Sequence, residues 1–132
     1  MGSALVPALL SAGHEVVRLK RPEQWDPDSR TIDASVLSGS DAIVHLAGEN
    51  IASGRWTPAR KQRIHDSRVN GTKLIAETIS RMDPPPQVLV SASAIGYYGD
   101  RGSEVLSEES PSGRGFLSEV CRQWEAATGA AT

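Results

Sequence analysis

The residues that could do chemistry sit at the ends of short apolar runs. Lys20-Arg21 follows one such run, Leu46-Ala47-Gly48 closes a second, and Ser91-Ala92-Ser93 closes a third. A basic pair at such a position can contact a phosphate, or it can be solvated charge at a strand end. Small residues such as Ala47, Gly48 and Ala92 let a ligand approach the backbone closely. A serine hydroxyl at Ser93 can polarise a carbonyl or an alcohol; equally, it can serve as a cap or a loop hydrogen bond. His14, His45 and His65 lack metal-ligand spacing, and His45, in an apolar run, reads as a satisfied core histidine. No metal site is expected. Glu104, Glu108 and Glu109 form a solvated loop cluster, and Trp25, Trp56 and Trp124 are too dispersed for a stacking platform.

These groups need elements to position them. Leu5, Leu9 and Leu10 have helical spacing over Gly2 to Ala12, and Gly13 is a natural C-cap. Pro7 is awkward in that helix unless it begins close by. His14 to Leu19 reads as a short strand, followed by a polar, proline-containing stretch, Pro22 to Arg30. Asp41 to Gly48 is the clearest strand. Thr57-Pro58 supplies an N-cap and a first helical residue, and Ile64, Gly71, Ile75 and Ile79 trace one helix face before Asp83-Pro84-Pro85-Pro86. Gln87 to Ser91 is a further strand. A glycine-rich acidic loop, Gly96 to Gly115, leads to an amphipathic helix through Phe116, Val120, Trp124 and Ala127. Helix and strand alternating in this way is the grammar of a parallel α/β sheet, and apolar strand runs predict a sheet covered on both faces. In such a sheet, ligands bind at the carboxyl ends of the strands.

Composition bounds the function. The 132 residues are about one domain's worth, and 14 basic against 16 acidic side chains leave a charge of −2. That balance removes a general electrostatic case for nucleic acid. Cys121 is the only cysteine, so an intrachain disulfide and a cysteine metal cluster are both excluded. It is expected to be inert and partly buried. No apolar run approaches the roughly 18 residues of a membrane span, and the apolar stretch Ala4 to Leu10 has no basic region before it. The expectation is a cytoplasmic protein with no membrane partner.

Several separated motifs, in order, carry a resemblance. Val44-His45-Leu46-Ala47-Gly48, Asn70-Gly71-Thr72, Val90-Ser91-Ala92-Ser93-Ala94 and Tyr98-Gly99 resemble the extended short-chain dehydrogenase/reductases. Ala47-Gly48-Glu49-Asn50-Ile51, Arg55-Trp56, Ser67-Arg68 and Trp124-Glu125 are similar to the atypical "epimerase family protein" subgroup of the NAD-dependent epimerase/dehydratases. The resemblance covers essentially the whole chain. It implies a partial Rossmann-like α/β domain over residues 1–132 with a parallel sheet, flanking helices, and the first strand, glycine turn and substrate lobe missing. Gly2 then matches the last glycine of the phosphate-binding turn, where a side chain would obstruct close helix–strand packing. Lys20 and Arg21 stand where basic residues favour the 2′-phosphate, so the implied cofactor is NADP rather than NAD. Asp33 borders the adenine, Leu46, Ala47 and Gly48 lie along the cofactor, and Arg68 and Asn70 face it, unless these last two are a solvated helix face and a local hydrogen bond. Ser93 matches the catalytic serine.

Two departures accompany the matches. The Tyr-x-x-x-Lys pair of the oxidoreductases, whose lysine lowers the pKa of the tyrosine, corresponds here to Phe116 and Val120, so the usual proton chemistry is missing. Tyr97 or Tyr98 could stand in as proton donor, or pack in the loop. A complete family member would also begin with a strand and a Gly-x-x-Gly-x-x-Gly turn. Without that strand two edges are left unpaired, which opens self-association or strand exchange. The resemblance thus implies an NADP(H)-binding domain fragment of an epimerase/reductase-like protein acting on a small-molecule or nucleotide-linked substrate. The alternatives are a non-catalytic dinucleotide-binding or regulatory protein, or an inactive fragment.

Overall fold

The computed structural model describes residues 1–131. Helix α1 spans Gly2–Ser11 and ends in a left-handed glycine. Gly13 takes φ +86°, its N–H reaches the Leu10 carbonyl at 3.1 Å, and the His14 N–H reaches Leu9 at 3.1 Å. This double closure satisfies the last carbonyls, and only glycine adopts that φ without strain. Pro7 lies inside the helix, where it forgoes the bond to the Ser3 carbonyl, and no residue of α1 is buried.

The strand expected over His14 to Leu19 does not form. The segment makes no ladder with any described residue, because a strand exists only where another offers a matching row of donors and acceptors. The stretch after it, by contrast, holds an unexpected antiparallel pair, β1 (Trp25–Asp26) with β2 (Thr31–Ile32). Asp26 organises the turn between them, accepting from the Asp28 N–H and the Ser29 hydroxyl. Asp33 then caps a short 3₁₀ turn at Ala34–Val36.

The parallel unit is β3 (Ala42–His45) beside β4 (Val88–Ser91), with Ile43 opposite Leu89 and His45 opposite Ser91. Between them runs α2 (Pro58–Ile79), started by the Thr57 hydroxyl, which accepts from the Arg60 N–H at 3.3 Å. Its Ile64, Gly71, Ile75 and Ile79 are all buried, as their spacing predicts. Gly71 is needed because a Cβ there would stand 3.2 Å from the Trp25 ring. The core joins Trp25, Leu37, Ile43, Ile75 and Ile79.

Only one face of the sheet is covered, against the expectation of two. Ile43 and His45 point into the core, whereas Val44, Val88 and Val90 on the other face are 41%, 49% and 49% exposed. The reason is positional: α2 supplies Ile75 and Ile79 to the Ile43 side, the last helix packs against α2 rather than the open face, and α1 buries nothing. Helix α3 (Phe116–Ala126) buries Ser118, Val120, Cys121 and Trp124. The Trp124 indole N–H donates to the Thr72 hydroxyl at 2.8 Å, a buried bond that fixes α3 on α2. His65 adds a second tie. Its Nδ1 lies 2.8 Å from Asp66 and its Nε2 2.7 Å from the Gln123 carbonyl oxygen, while the Gln123 amide donates to Glu119. Partial burial pulls the His65 pKa down, but the bonds to Asp66 and Gln123 and the Asp66 charge outweigh it, so the net shift is upward. No helix among the described residues is long and apolar enough to cross a membrane.

Candidate functional site

Parallel pairing of β3 and β4 brings the two strand ends to one edge, so 46–48 and 92–93 emerge side by side, as the Ala92 N–H bond to the His45 carbonyl at 3.0 Å shows. Arg68, from the middle of α2, closes this edge from below. Its guanidinium donates to the Ile64 carbonyl at 3.1 Å and the Glu49 carbonyl at 3.0 Å, and lies 5.1 Å from the Trp124 ring centre. A Cβ on Gly48 would come within 3.2 Å of it, so the glycine makes room for the arginine. Burial pulls the Arg68 pKa below its ordinary value. Asn70, two residues on, is exposed.

The loop after β3 is held from several directions. The Glu49 N–H donates to Ser67 at 2.9 Å, Glu49 pairs with Arg60 at 3.5 Å, and Arg60 also reaches the Asn50 carbonyl and the Ser53 hydroxyl. The Trp56 indole N–H bonds the Ile51 carbonyl at 3.0 Å, and its ring meets Phe116 edge-to-face at 5.8 Å. The Lys61 ammonium lies 5.4 Å from the Phe116 ring centre. Phe116, which the resemblance matches to the tyrosine of the usual pair, is a loop anchor in this fold, and Val120 is core at 2% exposure.

Ser93 stands exposed at the end of β4, and its hydroxyl donates to the carboxylate of Glu125 on α3. Nearby, the Cys121 thiol lies 3.7 Å from the Ala94 carbonyl and is buried; burial first, and then the Glu125 charge, push its pKa up. Tyr98 is half-buried against Tyr97, ring centres 5.2 Å apart, in the 3₁₀ turn Ile95–Tyr98. That turn is tied to α3, since Ser118 donates to the Tyr97 carbonyl at 2.7 Å. A cleft of about 330 Å³ lies beside it, lined by Ile95, Gly96, Gly99, Asp100, Arg114, Leu117 and Ser118.

Of the other predicted residues, Lys20, Arg21 and Asp33 flank the β1–β2 hairpin. Arg21 pairs with Asp28 at 2.6 Å and Asp26 at 3.5 Å, and lies 5.8 Å from the Trp25 ring, which meets His45 edge-on at 5.6 Å. Lys20 is exposed, and its backbone receives Gln24 and Trp25. The Asp33 carboxylate is committed to the Ser35 N–H at 3.0 Å and to its hydroxyl at 2.6 Å. Leu46 and Ala47 are half-buried, Ala47 against the core. Around Gly2 the expected close packing is not seen: a Cβ there meets nothing within 4 Å. His45 is a core histidine but not a satisfied one. It is 4% exposed, its Nε2 has no partner among the described residues, and burial pushes its pKa down to about 4.

Sequence reasoning about roles passed over Glu125, Arg60 and Ser67. Glu125 and Ser67 stood in the dipeptides Trp124-Glu125 and Ser67-Arg68, nothing local marked Arg60, and each acts on a residue distant in sequence.

The family model for the NAD dependent epimerase/dehydratase family matches residues 1–116. The chain is 39% identical over 135 aligned positions to an epimerase family protein of Mycobacterium bovis, covering 97% of this chain and 44% of that one. Human epimerase family protein SDR39U1 is 34% identical, with 96% and 45% covered. Among solved structures, a nucleoside-diphosphate sugar epimerase from Corynebacterium glutamicum superposes with a TM-score of 0.81 at 42% identity, over 98% of this chain and 28% of that chain. Human SDR39U1 isoform 2, crystallised with NADPH, gives a TM-score of 0.80 at 33% identity, over 96% and 44%. The chain thus spans less than half the length of the curated relatives named here. A match over most of its residues, joined to the parallel strand ends and the motifs around them, places it: this chain belongs to the NAD-dependent epimerase/dehydratase family.

Proposed function

We propose that the chain is an NADP(H)-binding domain of an epimerase/reductase-like protein. The observation that carries this reading is the shared fold with the NADPH-bound human relative, together with a basic pair beside the β1–β2 hairpin. Three features of the chain fit a dinucleotide. Helix α1 begins without a side-chain cap, and Gly2 leaves open space there, which suits a pyrophosphate at a helix N-terminus. Arg21 is half-exposed between Asp28, Asp26 and the Trp25 ring, and a 2′-phosphate can exchange with the exposed Asp28 carboxylate, with exposed Lys20 beside it. The ends of β3 and β4 present Leu46, Ala47 and Gly48 along one edge, where the flat rings of a cofactor would lie. When bound, the nicotinamide supplies hydride exchange. Ser93 would then contact the reacting oxygen of a small-molecule or nucleotide-linked substrate.

Titrating the chain with NADPH and with NADH, followed by nicotinamide fluorescence and thermal shift, tests the reading. Saturable NADPH binding, weaker for NADH, is expected, with Arg21→Asp weakening NADPH by roughly 10- to 100-fold, as loss of a charge-assisted phosphate contact implies. Equal affinity for both nucleotides, or binding indifferent to Arg21→Asp, refutes the NADP assignment.

A second reading is a dinucleotide-binding protein without catalysis. Its specific support is the packing of Phe116 against Trp56 and the burial of Val120, which leave no phenol or ammonium of the usual pair in place. Under it NADPH binds and no carbonyl is reduced.

A further inference from the structure

We propose that Glu125 is the proton-holding and positioning partner of Ser93, the two together standing in for the absent tyrosine and lysine. This rests on the dinucleotide reading above. The Ser93 hydroxyl proton points at the Glu125 carboxylate, so the outward side of Oγ carries only lone pairs. Such an oxygen receives a donor, and the group it suits is an alcohol O–H rather than a carbonyl.

The pair is not a chance meeting of two loose surface groups. Glu125 follows Trp124, whose indole is tied to Thr72 in the interior and overlies Arg68, so the helix cannot rotate to carry the carboxylate away. Ser93 follows β4, whose register on β3 is fixed through His45 and Ser91. Glu125 is itself exposed and can exchange protons with water. No phenol is offered from α3, where Phe116 is anchored to Trp56.

In the oxidation direction the substrate C–H bond breaks and its electron pair passes with the hydrogen to the oxidised nicotinamide. The substrate O–H proton moves to Ser93 Oγ as the Ser93 proton moves to Glu125, leaving a carbonyl product and a neutral carboxyl that releases its proton to solvent. Reduction runs the same steps backwards, with the proton entering through Glu125.

The test uses the full chain, NADPH, and 9,10-phenanthrenequinone as a carbonyl probe, comparing wild type with Glu125→Gln, Ser93→Ala, the double variant and Glu125→Asp. Glu125→Gln is expected to lower kcat by about 100-fold, the lower range for a positioned acid or base. KM for the probe and NADPH affinity should stay within about 2-fold, as expected when only transition-state interactions are lost. The double variant should be no slower than the slower single one, because residues acting as a unit are non-additive. Glu125→Asp should recover part of kcat. A Glu125→Gln variant with full kcat, or losses that multiply in the double variant, overturns the proposal. So does a wild-type chain that binds NADPH and reduces nothing. A chain that takes up no NADPH instead refutes the dinucleotide reading, and the Glu125 role falls with it. Unfolding curves for each variant separate a lost fold from a lost step.

Discussion

The region around Ser93 and the region around Arg21 are built differently. On the Ser93 side, the loop after β3, α2 and α3 are cross-linked by Arg60, Ser67, Arg68, Trp124 and Ser118, several of them half-buried or buried. On the Arg21 side, α1 buries nothing, residues 14–20 lie outside any ladder, and the basic pair makes surface contacts. The difference teaches where stability and where binding reside. Polar groups already committed to one another hold geometry, whereas groups left to solvent or to weak pairs are available to a ligand.

Exchange of the corresponding glycines should break this contrast most sharply. A Cβ on Gly113 would stand 1.9 Å from the Tyr98 carbonyl oxygen, so Gly113→Ala must push the 96–99 turn off α3. A loss of about 3 kcal/mol or more is expected in urea unfolding, at the upper end for overpacking. Gly2→Ala, with open space around it, should be neutral or slightly stabilising. Equal effects of the two would mean that the sides do not differ.

Acid should act next, through the core rather than the rim. The folded His45 pKa, about 4, lies below the unfolded value of 6.5, so the unfolded chain binds the extra proton first. The stability that His45 contributes is whole above pH 6.5 and is lost as pH falls toward 4, by up to roughly 3 kcal/mol. Denaturation midpoints at pH 7 and pH 4.5 should show it, and His45→Phe should flatten the trend. His65 has the opposite sign, its upward shift giving stability that is present below the unfolded value and fades as pH rises through the folded one.

The smallest of these effects sharpens the comparison. Thr72→Val keeps the shape but orphans the Trp124 indole N–H, a cost of about 1–3 kcal/mol. Calorimetry of that variant should show a lower Tm for the α2–α3 unit with α1 helicity unchanged.

Legibility in the sequence follows the same division. Helix α2 could be read because Ile64, Gly71, Ile75 and Ile79 repeat at a local period, and its start because Thr57-Pro58 states it in two residues. Strands β3 and β4 could be read as apolar runs, but such runs do not say what covers them, so the open Val44 face went unseen. The β1–β2 pair is two residues long on each side, too short to show alternation. At the site, the family resemblance pointed to Ser93 and Arg68, whereas their partners Glu125 and Glu49 lie 32 and 19 residues away, a distance no local pattern spans.

The half-exposed valines of the sheet have a thermodynamic consequence as well. Val44, Val88 and Val90 already meet water over nearly half of their surface in the folded chain, so unfolding hydrates them less than it does a fully buried valine. The heat-capacity increment and the denaturant m-value both scale with newly exposed apolar area, and both should fall below the norm for 132 residues. A correspondingly flatter stability curve is expected, read from calorimetry as a smaller heat-capacity increment.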